Sequence, residues 1–178
     1  MDIEKLRFPI GQFQKPEVLT EALLASFIFN IESFPGLLKK EVYHLADSQL
    51  DTAYRPGGWT IRQVVHHCAD SHMNGIIRHK LTLAEDAPKI KPYPEHLFAE
   101  LDDSRIFPVS PAISLLEGLH LKWAFLLKSI SESDLERIYI HPEHGRKFSF
   151  GESIAIYAWH CRHHLAHITT LKTSMRWD

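Results

Sequence analysis

Apolar side chains recur along most of this chain at three- and four-residue steps, the period of one buried face of an α-helix. Leu19, Leu23, Leu24, Phe27 and Ile31 form the first such stripe. Pro35-Gly36 should kink or restart that helix, since proline lacks the backbone donor and crowds the preceding turn; Leu37, Leu38 and Val42 then resume the pattern. A short turn begins at Asp47-Ser48. The loop Tyr54-Arg55-Pro56-Gly57-Gly58-Trp59 ends helical structure, and Thr60 with Gln63 forms a capping-box signature for a second helix running from about Ile61 toward Leu83. Ser110 as cap and Pro111 in the first turn open a third helix, with Ile113, Leu116, Leu119, His120, Trp123 and Leu127 on its inner face. Ser149 and Glu152 form another capping box, and a fourth helix follows through Ile154, Tyr157, Leu165, Ile168 and Leu171.

The segments between these helices differ in kind. Residues 1–18 hold Pro9, Gly11 and Pro16 and read as an extended arm. Residues 84–110 carry Pro88, Pro92, Pro94 and Pro108 and form a crossover longer than packed helices need, the kind of loop that shapes a site. Ile138-Tyr139-Ile140, then Pro142-Glu143-His144-Gly145, then Phe148 suggest a small hairpin before the last helix. Four long helices with one long crossover describe an all-α four-helix bundle, with residues 1–178 as a single domain.

Composition narrows the classes of function. At 178 residues, with 44% hydrophobic and 24% charged side chains, the chain can bury a real core. A net charge of −2 without any window dense in Lys or Arg speaks against nucleic-acid binding. The start lacks a basic segment followed by an apolar one, and no apolar stretch reaches the roughly 18 residues of a membrane span, so a cytoplasmic protein is expected. Cys68 and Cys161 make no disulfide framework. Histidine is the outlier at 13 residues.

Those histidines fall in two clusters: His66-His67-Cys68-Ala69-Asp70-Ser71-His72, and Trp159-His160-Cys161-Arg162-His163-His164-Leu165-Ala166-His167. On a helix, residues four apart lie about 40° apart around the axis and one turn apart along it, so His160 with His164, or His163 with His167, can reach one point. The second helix offers His66, His67 and His72, and Asp70 shares a face with His67. Imidazoles from two helices around one divalent ion are the expected arrangement, with positions left for water or substrate. Periodicity does not choose between the 160/164 and 163/167 pairs. Against this stands the commoner fate of helical histidines, which is packing or surface exposure. His72 and His79 read as surface residues, and His163 and His167 either hydrogen-bond near the site or pack at the helix interface. Trp59, Trp123 and Trp159 read as core and pocket wall.

The histidine clusters and several other blocks resemble the YfiT family of metal-dependent hydrolases within the DinB-like superfamily. The similar blocks are Phe8-Pro9-Ile10-Gly11, Ser48-Gln49-Leu50-Asp51-Thr52 with Tyr54-Arg55, Gly57-Gly58-Trp59-Thr60 with Arg62 to His67, Ala69 to Asn74, and Trp159-His160 through His163-His164 with Ala166-His167-Ile168. They span nearly the whole chain. The resemblance implies His67, His160 and His164 as metal ligands, one zinc or nickel ion per subunit, and a homodimer. Cys68 and Cys161, beside the ligands, depart from the family pattern.

Three neutral ligands leave a divalent ion its full charge, so a bound water becomes a nucleophile near neutral pH, its pKa falling from about 15.7 toward about 7. Metal-dependent hydrolysis of a small-molecule substrate is therefore the leading expectation. The same centre could bind a thiol as thiolate, and the resemblance also allows a low-molecular-weight-thiol S-transferase of the bacillithiol type. A structural metal, or a domain that only binds metal or thiol, is the third reading. Asp70 is the candidate carboxylate to accept a ligand's second N–H or a proton, unless it forms a salt bridge to Arg62 or Arg78. Substrate choice is expected to involve residues near Pro92-Tyr93.

Overall fold

The computed structural model describes residues 2–143 and 145–177; His144, in the expected hairpin turn, lies outside them. Four long helices carry the fold: α2 (Glu21–Val42), α4 (Ile61–Ala84), α7 (Val109–Lys128) and α8 (Phe150–Met175). Short helices α1 (Ile3–Arg7), α3 (Asp47–Leu50), α5 (Glu95–Phe98) and α6 (Asp102–Arg105) occupy the arm and the connections. A hairpin of β1 (Ile138–His141) and β2 (Arg146–Ser149) precedes α8, pairing Ile138 with Ser149 and His141 with Arg146. Both α2 and α4 pack against both α7 and α8, which makes the bundle.

Its core comes from the apolar stripes. Ile31, Phe34 and Leu38 of α2, Ile61, Val64 and Val65 of α4, Leu116, Trp123 and Leu127 of α7, and Ile154 and Ile168 of α8 are buried together. Each such side chain contributes roughly 1.5–3 kcal/mol on leaving water. Gly75 lets the aromatic layer close, because a Cβ there would lie 2.6 Å from Trp123 and 2.7 Å from Tyr157.

The capping box opening α4 forms as expected: Gln63 N–H donates to Thr60 Oγ1 at 3.1 Å and Thr60 N–H to Gln63 Oε1 at 2.9 Å. Ser149 caps α8 by accepting from Glu152 N–H at 3.1 Å, but the Glu152 carboxylate turns to Arg146 and Lys15 instead of closing a box. Ion pairing outcompetes the weaker return bond. Arg62, nearly buried, donates to Asp47, Asp51 and the Phe107 carbonyl, and so ties α3 and the crossover to the start of α4.

Four expectations change. First, α2 runs unbroken through Pro35 and Gly36, with Pro35 buried against the bundle, so tertiary packing overrides the expected break. Second, α2 is long and apolar enough, by length and composition, to cross a membrane; here its buried face forms part of the bundle core, a role that passes the same test. Third, α7 begins at Val109 with Pro108 as its cap residue, so Ser110 lies inside the helix and caps nothing. Fourth, part of the arm is helical, with the Asp2 carboxylate accepting from Glu4 N–H at 3.1 Å to start α1.

Candidate metal centre

Two elements bring the central residues together. His67 projects from α4, and His160 and His164, one turn apart, project from α8. One nitrogen from each falls within 4.8 Å of the others, and His67 Nε2 lies 3.2 Å from His160 Nε2. These are the residues of the 160/164 pair. The 163/167 pair does not converge with them: His163 stacks on Trp159 with ring centroids 4.3 Å apart, and His167 sits behind His164, between its Nδ1 and the Arg7 carbonyl.

The group opens into a cavity of about 400 Å³ whose wall includes Tyr54, Arg55, Trp59 and Trp159, with Arg7 and Phe8 from the arm. The arm is held there by a hydrogen bond from Trp159 Nε1–H to the Gly11 carbonyl, 3.2 Å. Glu95 of the crossover is the carboxylate among the described lining residues. Arg55 belongs to the Tyr54-Arg55 block and Glu95 lies near Pro92-Tyr93, but neither stands out in the sequence as a site residue, nor does Arg7, because each is a single charged residue without a local pattern. Of the segment near Pro92-Tyr93, Glu95 lines the cavity and Tyr93 does not.

Desolvation keeps the central imidazoles neutral. Burial, helped by the nearby His167, pushes His67 down to about 4, and it pushes His160 and His164 well below the ordinary histidine value. A neutral imidazole keeps one N–H and offers one lone pair, whereas a protonated one offers none.

The outer nitrogens of two of them are occupied. His160 Nδ1 lies 3.0 Å from His72 Nε2, and His72 Nδ1 lies 2.8 Å from His120 Nε2. His164 Nδ1 lies 3.3 Å from His167 Nδ1, while His167 Nε2–H donates to the Arg7 carbonyl at 3.0 Å. Histidine thus occupies the places where a carboxylate was expected.

The Asp70 carboxylate accepts no hydrogen bond from a histidine among the described residues. Burial and the neighbouring Asp103 push its pKa up to about 6. The alternative ion pairs are also absent among the described residues, since Arg62 is spent on Asp47 and Asp51 and Arg78 donates to Tyr157 Oη at 3.2 Å.

Neither His72 nor His79 is a surface residue; both are fully buried. His79 accepts from Trp123 Nε1–H at 2.9 Å and pairs with Ser153 Oγ at 2.9 Å, which satisfies both ring nitrogens inside the core. His66 points away from the centre, toward the Phe107 carbonyl at 3.3 Å. Both cysteines are free and buried, and burial raises both thiol pKa values.

Comparison with known proteins places these residues in context. A sequence profile of the DinB superfamily matches residues 34–168. A protein of Oceanobacillus iheyensis named "Putative metal-dependent hydrolase" is 50% identical over 171 residues, covering 96% of this chain and 98% of that one. One of Bacillus cereus with the same name is 49% identical over 172 residues, covering 97% and 98%. Among solved structures, one described as "YfiT from Bacillus subtilis is a probable metal-dependent hydrolase with an unusual four-helix bundle topology" superposes with a TM-score of 0.95 at 42% identity, covering 98% of this chain and 99% of that one.

Proposed function

The chain belongs to the DinB superfamily, and from that premise we propose that it is a metal-dependent hydrolase whose divalent ion, zinc or nickel, is held by His67, His160 and His164. The observation that carries this reading is the convergence of three neutral imidazole nitrogens, within 4.8 Å of one another, beside a cavity of about 400 Å³. Donors about 2.0–2.1 Å from a tetrahedral zinc lie roughly 3.3 Å apart. The 3.2 Å between His67 Nε2 and His160 Nε2 fits that spacing. Three imidazoles also suit nickel, because affinity for either ion depends on availability as much as on geometry.

When bound, such an ion supplies Lewis acidity, lowering the pKa of water toward about 7 and polarising a scissile carbonyl. Three neutral donors bring no negative charge to offset it. Trp59 and Trp159 in the cavity wall limit bulk water around the reacting group, and Arg7 and Arg55 offer cationic contacts for an acidic substrate. Glu95, in the same wall, is better placed than Asp70 to accept a proton. A homodimer is part of the proposal; exposed apolar side chains on two neighbouring helices, Phe29 and Leu37 on α2 and Leu121 and Phe125 on α7, support it.

The test is turnover of a panel of ester, amide and epoxide electrophiles by metal-loaded protein, with and without a low-molecular-weight thiol. Hydrolysis without thiol is expected, alongside one zinc or nickel ion per chain by elemental analysis of protein purified without added metal. Strict dependence on thiol would replace the hydrolase with an S-transferase, and turnover of nothing by a metal-loaded chain would leave a binding domain.

A further inference from the structure

Pro35 lies inside α2, and because it has no N–H it leaves the carbonyl of Ile31, four residues earlier, without its helical donor. His120 of α7 takes that carbonyl: its Nδ1 lies 2.5 Å from Ile31 O. A carbonyl only accepts, so the proton belongs to His120 Nδ1, and a neutral imidazole then has a bare Nε2. His72 Nδ1, 2.8 Å away, must donate to that Nε2. His72 Nε2 is therefore the acceptor toward His160 Nδ1, 3.0 Å away, which donates in turn. His160 is left with a bare Nε2, the atom 3.2 Å from His67.

The order of protons is thus set from one end, by a backbone atom, across α2, α7, α4 and α8. A shorter chain does the same for the other α8 ligand. The Arg7 carbonyl accepts from His167 Nε2–H, which leaves His167 Nδ1 to accept from His164 Nδ1–H, and His164 also keeps a bare Nε2.

Resting on the metal reading above, the geometry points to a tautomer lock: His72, His120 and His167 are positioning residues that hold His160 and His164 in the Nδ1–H form, so that both Nε2 lone pairs serve the centre. The Ile31 carbonyl, freed by Pro35, and the Arg7 carbonyl of α1 fix the direction. A ligating imidazole usually gives its other N–H to an acceptor of this kind, and losing that acceptor typically costs roughly 10–100-fold in metal affinity.

The same accounting bears on the second group of metal-type side chains, His72, His120 and Cys161, which also lie within 4.8 Å of one another and are all buried. The lone pairs of both histidines are already committed, to each other and to His160. This group serves the first centre and is not a second one.

The experiment reads tautomers directly, by long-range 1H–15N correlation of the imidazoles in metal-free, 15N-labelled protein at pH 7.5. Expected are Nδ1–H forms for His72, His120, His160 and His164 and an Nε2–H form for His167. In His72→Phe and His120→Phe, His160 should lose its fixed tautomer and zinc affinity, measured by competition with a chromophoric chelator, should fall roughly 10–100-fold. His167→Phe should do the same through His164, and it keeps a test available if the core variants fail to fold. Pro35→Ala should have a smaller effect of the same sign, because a restored N–H competes for a carbonyl that has two lone pairs. An Nε2–H form of His160 or His164 in the wild type, unchanged zinc affinity in a folded His72→Phe, or a second zinc ion per chain lost in His120→Phe would overturn the proposal. A wild type with the expected tautomers that binds no zinc would instead overturn the metal reading, and the two failures are separable because the tautomers are read without metal.

Discussion

Two groups of metal-type side chains sit side by side in this bundle, three histidines in one and two histidines with a cysteine in the other, each with its ligand atoms within 4.8 Å of one another, and their chemistry differs. His67, His160 and His164 border a cavity, while His72, His120 and Cys161 are sealed in the core. In the first group the bare Nε2 atoms of His160 and His164 face His67 beside the cavity. In the second every imidazole nitrogen already has a partner. Proximity of ligand-type atoms is therefore a poor guide to a metal centre, and the decisive quantity is which lone pairs remain after the hydrogen bonds are counted. Burial acts alike on both groups, since desolvation lowers the pKa of each of these histidines.

The comparison breaks most sharply at His164. In His164→Ala one of the three proposed donors is gone, and we expect zinc affinity to fall more than roughly 100-fold, beyond the loss typical of outer partners. Far-UV circular dichroism and the thermal midpoint of the metal-free protein should stay close to wild type, because the core rests on the leucine and isoleucine stripes. Metal affinity is the deciding measurement. Retained tight binding would remove the distinction between the two groups, and unfolding of the metal-free variant would move His164 from the site to the scaffold.

Much of this was legible from residue spacing, and the limits of legibility are physical. The four helices follow from three- and four-residue periods, and the α4 start from a capping box, since both signals are local. The pairing of His160 with His164 over His163 with His167 was not periodic information; it depends on which side of α8 faces α4. His72 and His79 read as surface residues because a helical wheel says nothing about acceptors on other helices. Their partners are His120, Trp123 and Ser153, on α7 and α8. Pro35 is the clearest case. Its missing donor reads as a break in a helix, yet in the bundle it exposes the carbonyl that His120 needs.

Acid should next act on what the two regions share, the neutrality that burial imposes on their imidazoles. Burial pushes His79 down to about 3 and His120 to about 4, against an ordinary value of 6.5. Below pH 6.5 the unfolded chain takes up protons that the folded chain refuses, so stability is full above 6.5 and falls as pH drops toward 4 and 3. At pH 4 this amounts to on the order of 3 kcal/mol from His79 alone. Asp70, pushed up to about 6, works in the opposite direction, but it is a single half-buried group. Urea unfolding of the metal-free protein should give a flat midpoint between pH 7 and 8.5 and a steep decline between 6 and 4.5. A midpoint independent of pH down to 4.5 would mean that the sealed imidazoles accept protons in place, and the hydrogen-bond order assigned to them would be wrong.

The smallest effect is expected at the cysteines, where the contrast predicts silence. A thiol beside a histidine is reactive when the imidazole can take its proton and the resulting thiolate is stabilised by positive charge. Cys161 Sγ lies 4.0 Å from His72 Nε2, but that nitrogen already accepts from His160 Nδ1–H at the shorter distance of 3.0 Å. His72 is thus not free to take the thiol proton, and burial raises the pKa of Cys161 well above its ordinary value, with Cys68 adding to the shift. Cys68 is raised by burial as well. Iodoacetamide at pH 8 should therefore leave both cysteines unmodified in the native protein over an hour, by intact mass, while the urea-unfolded chain takes up two adducts. Added zinc should make no difference to native labelling, because in the proposed centre it would draw on the Nε2 side of His160 and not on the Nδ1 bond that occupies His72. Rapid alkylation of native Cys161 would show that the sealed group opens on the labelling timescale, and that its nitrogens are less committed than their distances indicate.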